Sequence, residues 1–512
     1  MTRLVATALL CGWSLGCPNR GSVIDAAQLD AGSHDASTAG DGATADVGAR
    51  DADVARDSAA LGDAPTGTDA ASTRDAGAWD SSRRTDGTVA PACIALTTST
   101  ASGASALPMP GGSEPGAGTP FTIATSGVVV QRLTDGADAS QFSSAYTNGY
   151  SRWSPSSLGG EYVTAFAGNG GAAVYRLSDR SVMRTLSIGE PNELHWDSSG
   201  AHGTATTIYY RTGAELRRMD VLTGSDALVH DFGVEFPGAG AAINGVEGAP
   251  SRDMRTWAFQ ICDSMSGGGQ CQGLRDVVVY DLPSDQITAR LGDVHPGFPT
   301  PNFVDVSPSG SRIVVGSCAG NPEPFNGMYA WSPDFSQRVR LSTGCTHSGW
   351  AWGLNGEEIF VSQDPCGANN DEITFTCDHF AAVDVNDAQG WEHRIAALAF
   401  DDLGWGNGIH IGRIDDSRVR GWFFVSTYST GTSNWGTDQL FFVELVASSA
   451  NPRIWQVTPT LNDYQDYWSE AFASLDFQAQ HIYWGANWGG TAELQLYQAQ
   501  LCAGWWDVLN EN

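Results

Sequence analysis

Asn302-Phe-Val-Asp-Val-Ser-Pro-Ser-Gly-Ser-Arg-Ile-Val-Val-Gly-Ser317 decides the fold. It reads as a strand, a tight turn on Ser307–Gly310 and a second strand of β-branched residues. Proline presets φ for the turn and glycine accepts the positive φ that often follows. The pattern recurs. Tyr150–Ser157 leads into Glu161–Phe166, Glu193–Gly200 into Thr207–Tyr210, and Val246–Arg252 into Thr256–Phe259. Further along, Trp350–Gly356 leads into Glu358–Val361, Arg413–Ser417 into Gly421–Val425, and Ala473–Asp476 into His481–Trp484. Seven copies at intervals of about fifty residues have the period of propeller blades. The spacing predicts an all-β, seven-bladed propeller over residues 127–505.

The last copy has three strand candidates of its own, Glu470–Leu475, His481–Ala486 and Glu493–Gln500. The early strand Val128–Leu133 is expected to supply a fourth and close the ring, which removes an unpaired edge. Cys93 and Cys502 flank the repeats, and a disulfide between them would lock the same seam. The ten cysteines include Cys11 and Cys17 in the leader. The other pairs expected from placement are Cys262–Cys271, Cys318–Cys345 and Cys366–Cys377. No Cys-x-x-Cys spacing supports a zinc site.

The chain has 512 residues and a formal charge of −31, with every one of its 27 basic residues an arginine. The lysine-free composition reads as arginine codon choice in a GC-rich genome. So acidic a surface excludes nucleic acid, whose phosphates need neutralising cations, and an anionic membrane surface. Residues 1–17 read as an export signal, with Arg3 before the apolar run Leu4–Leu15 and a small residue before Cys17. Residues 18–92 are Ala, Asp, Gly, Ser and Thr with an aspartate every five or six positions from Asp25 to Asp86. Such a stretch cannot bury enough apolar surface to offset its ordering entropy, so a disordered tether is expected. Residues 93–126 are expected to lie along the propeller surface.

The leader resembles bacterial lipoprotein signals, which implies lipidation of Cys17; ordinary secretory cleavage is the alternative. The tether is similar to the Asp-Ala-rich linkers of lipoproteins from Gram-negative bacteria with large genomes. Together they imply an exported protein at the outer membrane or cell surface, alternatively periplasmic or secreted. Any membrane contact would be through a lipid anchor alone, and a monomer is expected. Ser307-Pro-Ser-Gly-Ser-Arg-Ile-Val-Val315 and Asp220-Val-Leu-Thr-Gly224 resemble the WD40-like repeats of the TolB type. Glu470–Asp476 followed by Trp484–Gly489 is similar to secreted propellers related to oligogalacturonate lyases. The resemblance covers about Gly127 to Leu501 and speaks to fold more than to activity.

Aligning the copies on their turns places Asn148, Asn192, Asn244, Asn302, His347, His410 and Glu470 at one rim of the central channel. Two histidines and a carboxylate on consecutive blades can bind a divalent metal of unspecified identity. The competing reading is polar residues that bond the backbone of the next blade. The lyase-like propellers are similar in holding a metal with histidines at a channel mouth, but Glu470 and Phe472 stand where those relatives carry histidine. His195 and His202 read as ordinary surface residues. Trp405, Trp435, Tyr464 and Tyr467 lie in loop-like contexts, and exposed rings there would stack on sugar faces. The asparagines, Trp435 and Tyr467 are therefore the expected ligand contacts. Two functions follow. One is a surface module binding a glycan or protein; the other is a metal-dependent polysaccharide lyase with Tyr150 or Arg152 as base. No serine-hydrolase, zincin or phosphate-loop motif occurs.

Overall fold

The computed structural model describes residues 96, 98–136, 146–167, 171–186, 193–200, 205–245, 247–266, 269–317, 320–364, 379–403, 407–429, 434–446 and 451–511. All of these belong to one compact unit. The expected signal, Cys17 and the tether of 18–92 lie outside the described residues, as do Cys93, Asn192, Cys318, Cys366 and Cys377.

The quoted stretch forms the expected hairpin. Phe303–Val306 pairs antiparallel with Ile313–Ser317, Phe303 opposite Gly316 and Val306 opposite Ile313. The turn closes with the Gly310 N–H donating to Ser307 O at 2.9 Å, and Gly310 takes φ +78°. Glu358, from the next repeat, accepts from Ser309 N at 2.7 Å, Ser309 Oγ at 2.6 Å and Ser311 Oγ at 2.8 Å. The serines of the turn thus join one repeat to the next.

Four sheets have four strands each, beginning at Tyr146–Thr147, His195–Trp196, Ala241–Ile243 and Phe303–Val306. A fifth has five strands and holds Ser474–Leu475, His481–Ala486 and Gln495–Gln500. The separate blades therefore number five and not the seven expected. The strands of two consecutive repeats, Ser348–Ala399 and Asn407–Pro459, run together in one nine-stranded sheet, where Trp352 pairs with Trp422. The physical reason is local. The backbone pairing of Trp352 with Trp422 joins the first strand of one repeat to the second strand of the next.

Val129–Arg132 pairs with Gln495–Gln500, so the early strand does add to the sheet of the last repeat. Residues 93–126 do more than line the surface. Ser99–Thr100 pairs with Arg453–Ile454, and Pro120–Thr122 adds an edge strand beside Val129–Arg132. Cys262 and Cys271 are bonded. Cys345 and Cys502 are each disulfide-bonded, and their expected partners are outside the described residues.

Consecutive sheets pack face to face. Trp257, Phe259 and Tyr280 lie against Tyr209, Leu216 and Phe232, and Val277 and Val279 against Val304, Val315 and Trp331. Burying each such side chain is worth about 1.5–3 kcal/mol. A helix at Trp505–Glu511, unforeseen in the repeat pattern, packs Trp505 4.3 Å from Phe442 and 5.0 Å from Trp455.

Candidate functional site

Side chains from the first strands of the sheets and from the segments just after them meet in one cluster. At the centre sits Asp305, fully buried, in an otherwise apolar strand. It accepts from Ala249 N at 2.8 Å, Val306 N at 2.9 Å and Trp350 Nε1 at 2.7 Å. Arg152 Nη1 and Arg413 Nη1 each lie 3.3 Å from its carboxylate. Arg152 also pairs with Glu247 at 2.7 Å and donates to Ser348 O at 2.5 Å and Glu247 O at 2.8 Å. Arg413 pairs with Asp415 at 2.7 Å and donates to Val306 O and Pro250 O. Charges this deep persist only when paired and hydrogen-bonded.

On one side of this plug the three predicted rim residues come together. His410 Nε2 is 2.9 Å from Glu470 Oε2, and the rings of His347 and His410 are 4.7 Å apart. The Tyr150 hydroxyl lies 3.3 Å from both His347 Nδ1 and Glu247 Oε1. Local structure explains the placement. Asp466 caps the turn Tyr467–Ser469, accepting from Ser469 N at 3.1 Å, and this delivers Glu470 at the turn's end. Gly408, two residues before His410, lies opposite Tyr428 in the ladder, and any Cβ there would meet the Tyr428 ring at 1.9 Å. The missing side chain lets that ring lie over the strand, 5.5 Å from His410 and 5.1 Å from Tyr464. Phe472 packs 4.4 Å from His410 and 4.9 Å from Tyr467. A wall of tyrosines thus runs from buried His410 to Tyr464, which is 38% exposed.

Burial sets the protonation states. It lowers His347 to about 4, with the neighbouring His410 adding to the effect, and lowers His410 to about 3, with Arg152 adding. It raises Glu470 to about 7 and pushes the Tyr150, Tyr428 and Tyr467 phenols up. Near neutrality both imidazoles are uncharged, and Glu470 can hold or release a proton.

These groups do not fit a metal. His410 Nε2 bonds directly to Glu470, its Nδ1 is buried without a partner, and Nδ1 of His347 faces the Tyr150 hydroxyl. Among the described residues no group of three or more His, Cys, Asp or Glu is arranged to hold a metal ion. The expected ligand set is a hydrogen-bonded cluster instead.

The other predicted residues are placed as follows. Asn148 is buried and donates to Phe472 O at 2.6 Å and Ser474 Oγ at 2.8 Å, latching the first blade to the last. Asn244 is buried, and its backbone N–H donates to Glu193 at 2.9 Å. Asn302 is partly buried at its strand entry and donates its N–H to Gly316 O. Trp435 is 9% exposed and packs 5.3 Å from Phe441 in the core, whereas Tyr467 stands half-buried at the rim. Tyr150 and Arg152 both lie in the cluster. His195 is buried, not on the surface. Missed from the sequence were Glu247, Asp305 and Tyr428. Only Asp305 carried a signal there, a lone carboxylate in an apolar strand.

No protein-family model matches the chain, and no curated protein matches it. Among solved structures it is similar to an oligogalacturonate lyase in complex with manganese, at 13% identity and a TM-score of 0.46, over 75% of this chain and 96% of that one. An oligogalacturonate lyase from Vibrio parahaemolyticus is similar at 11% identity and a TM-score of 0.47, over the same shares. Likeness this distant leaves the activity to be argued from the site.

Proposed function

We propose that the propeller is an exported, lipid-anchored binding module that seats a glycan at the mouth formed by Tyr150, His347, His410, Glu470 and Tyr467. The observation that carries this reading is the tyrosine wall beside Glu470. Tyr428, Tyr464 and Tyr467 offer apolar ring faces, and Glu470, Glu247 and two neutral imidazoles offer hydrogen-bonding atoms at their foot. Rings and a few fixed polar groups are what a sugar, apolar on its faces and polar at its edge, requires. A lyase would need a free base and a metal to acidify the C5 proton. Arg152 is bound by two carboxylates and two carbonyls, and the cluster lacks the ligand arrangement.

Calorimetric titration of the full chain with neutral and uronate oligosaccharides tests the proposal. Binding of a neutral oligosaccharide is expected to weaken about tenfold in Tyr467→Ala, the loss of about 1.4 kcal/mol. New ultraviolet absorbance from unsaturated ends on polygalacturonate would overturn the module in favour of the lyase, as would unchanged binding in Tyr467→Ala.

A further inference from the structure

The mouth proposed for the glycan is acidic at its foot. Beyond the effect of burial, Glu247 and Glu470 both push the Tyr150 and Tyr467 phenols up, so the two carboxyls converge on the same rings. Glu470 and Asp466 do the same to exposed Tyr464. Each glutamate gives one oxygen to the protein, Oε2 of Glu247 to Arg152 at 2.7 Å and Oε2 of Glu470 to His410 at 2.9 Å. Glu247 Oε1 lies 3.3 Å from the Tyr150 hydroxyl and 4.0 Å from His347 Nδ1, and keeps a lone pair for another donor. The Glu247 and His347 side chains are 14% and 23% exposed, so solvent reaches this foot. The guanidinium that acts on Tyr150, His347 and His410 is Arg152, wholly buried and already held by Glu247, Asp305 and Ser348. From the mouth the chain passes through the plug, Tyr150 leading to Trp153, Glu247 to Arg252 and His410 to Asp415, into a recess lined by Arg152, Arg252 and Arg413. Arg252 is one-third exposed there and anchored through Nη1, which donates to Asp415 O at 3.0 Å.

These surroundings discriminate among sugars. A uronate would bring a third carboxylate to Glu247 and Glu470, with Arg152 too deep and too fully bonded to offset it. A protonated amine does the reverse. It offers three donors and no acceptor to a foot of carboxyls and neutral imidazoles, and a positive charge to the faces of the tyrosine rings. We infer, on the glycan reading above, that the sugar this mouth selects is an amino sugar. Its ammonium sits at Glu247 and Glu470, and its ring lies against the tyrosine wall.

Two β-linked disaccharides that differ only in the substituent beside the anomeric carbon, one of glucose and one of glucosamine, are the probes. Both are titrated into the full chain by calorimetry near neutral pH. The glucosamine disaccharide is expected to bind about tenfold more tightly at low salt, with an advantage that shrinks as salt screens the charge. Glu470→Gln, which keeps the shape of the side chain and removes its charge, should cut that advantage several-fold. Equal affinity for the two sugars would overturn the amino-sugar assignment and leave the glycan reading standing. An advantage unmoved by salt or by Glu470→Gln would overturn it in the same way. Failure of both sugars to bind would bring down the glycan reading itself, and the amino sugar with it.

Discussion

The two mouths of the channel share a floor and differ in chemistry. Both rest on the Arg152–Asp305–Arg413 plug. On one side the lining groups are tyrosines, neutral imidazoles and the carboxyls of Glu470 and Glu247, most of them buried. On the other they are guanidinium groups, led by the half-anchored Arg252. The contrast teaches that buried charge in the shared floor is architecture. Arg152 and Arg413 have every direction occupied by carboxylates and carbonyls, while Glu470, bonded on one side to His410, is raised by burial to about 7 and can hold or release a proton.

The comparison breaks most severely at its floor. Asp305→Ala leaves two buried guanidinium groups without their shared carboxylate, and removing one partner of a buried pair costs about 3–5 kcal/mol. Denaturant unfolding should register that loss and both mouths should fail together. If Asp305→Ala unfolds with the wild-type midpoint, the plug does not hold the channel and the two mouths need another account.

Much of this was readable beforehand, for physical reasons. The Ser-Pro-Ser-Gly turn and the β-branched strand after it specify a hairpin locally, so the repeat and its closure by Val129–Arg132 could be seen. Aligning turns also brought His347, His410 and Glu470 to one place, because equivalent positions of repeated strands share a depth. What those side chains do there depends on neighbours remote in sequence. Tyr150 lies 3.3 Å from His347 and Phe472 packs 4.4 Å from His410, and no local pattern announces either contact. Trp435 shows the same limit: Asn434 and Gly436 mark a turn, but not that its ring folds inward onto Phe441. The blade count depended on one interstrand contact, Trp352 with Trp422, which a period of fifty residues does not encode.

The mouths can next be separated by pH. Burial raises Glu470 to about 7, against about 4.3 for an unperturbed glutamate. The folded chain therefore binds more protons than the unfolded one between those values. That contribution is complete below about pH 4 and lost as pH rises through about 7. Glu470→Gln removes the penalty and is expected to stabilise the protein at pH 8 by roughly 3–4 kcal/mol while giving no gain at pH 4. His347 and His410 run in the opposite sense. Held neutral, they support the fold above about 6.5 and cease to do so as pH falls through about 4 and about 3. Melting curves of wild type and Glu470→Gln at the two pH values decide it. An equal shift at both would mean that Glu470 acts through packing and not through its charge.

The smallest stability effect is expected at the top of the tyrosine wall. Tyr464 is 38% exposed and touches Tyr428 at 5.1 Å between ring centres. An aromatic pair of this kind adds about 0.5–1.5 kcal/mol beyond its buried area when well packed, and an exposed one lies at the low end. Tyr464→Ala should therefore melt within a few degrees of wild type, since a small ΔΔG shifts a large domain little. Its effect should appear in ligand binding instead. The neutral oligosaccharide that reports Tyr467→Ala is expected to bind Tyr464→Ala several-fold more weakly. A ring present only for the fold would give the reverse, a lower melting temperature with the oligosaccharide affinity intact. That result would reduce the tyrosine wall to structure.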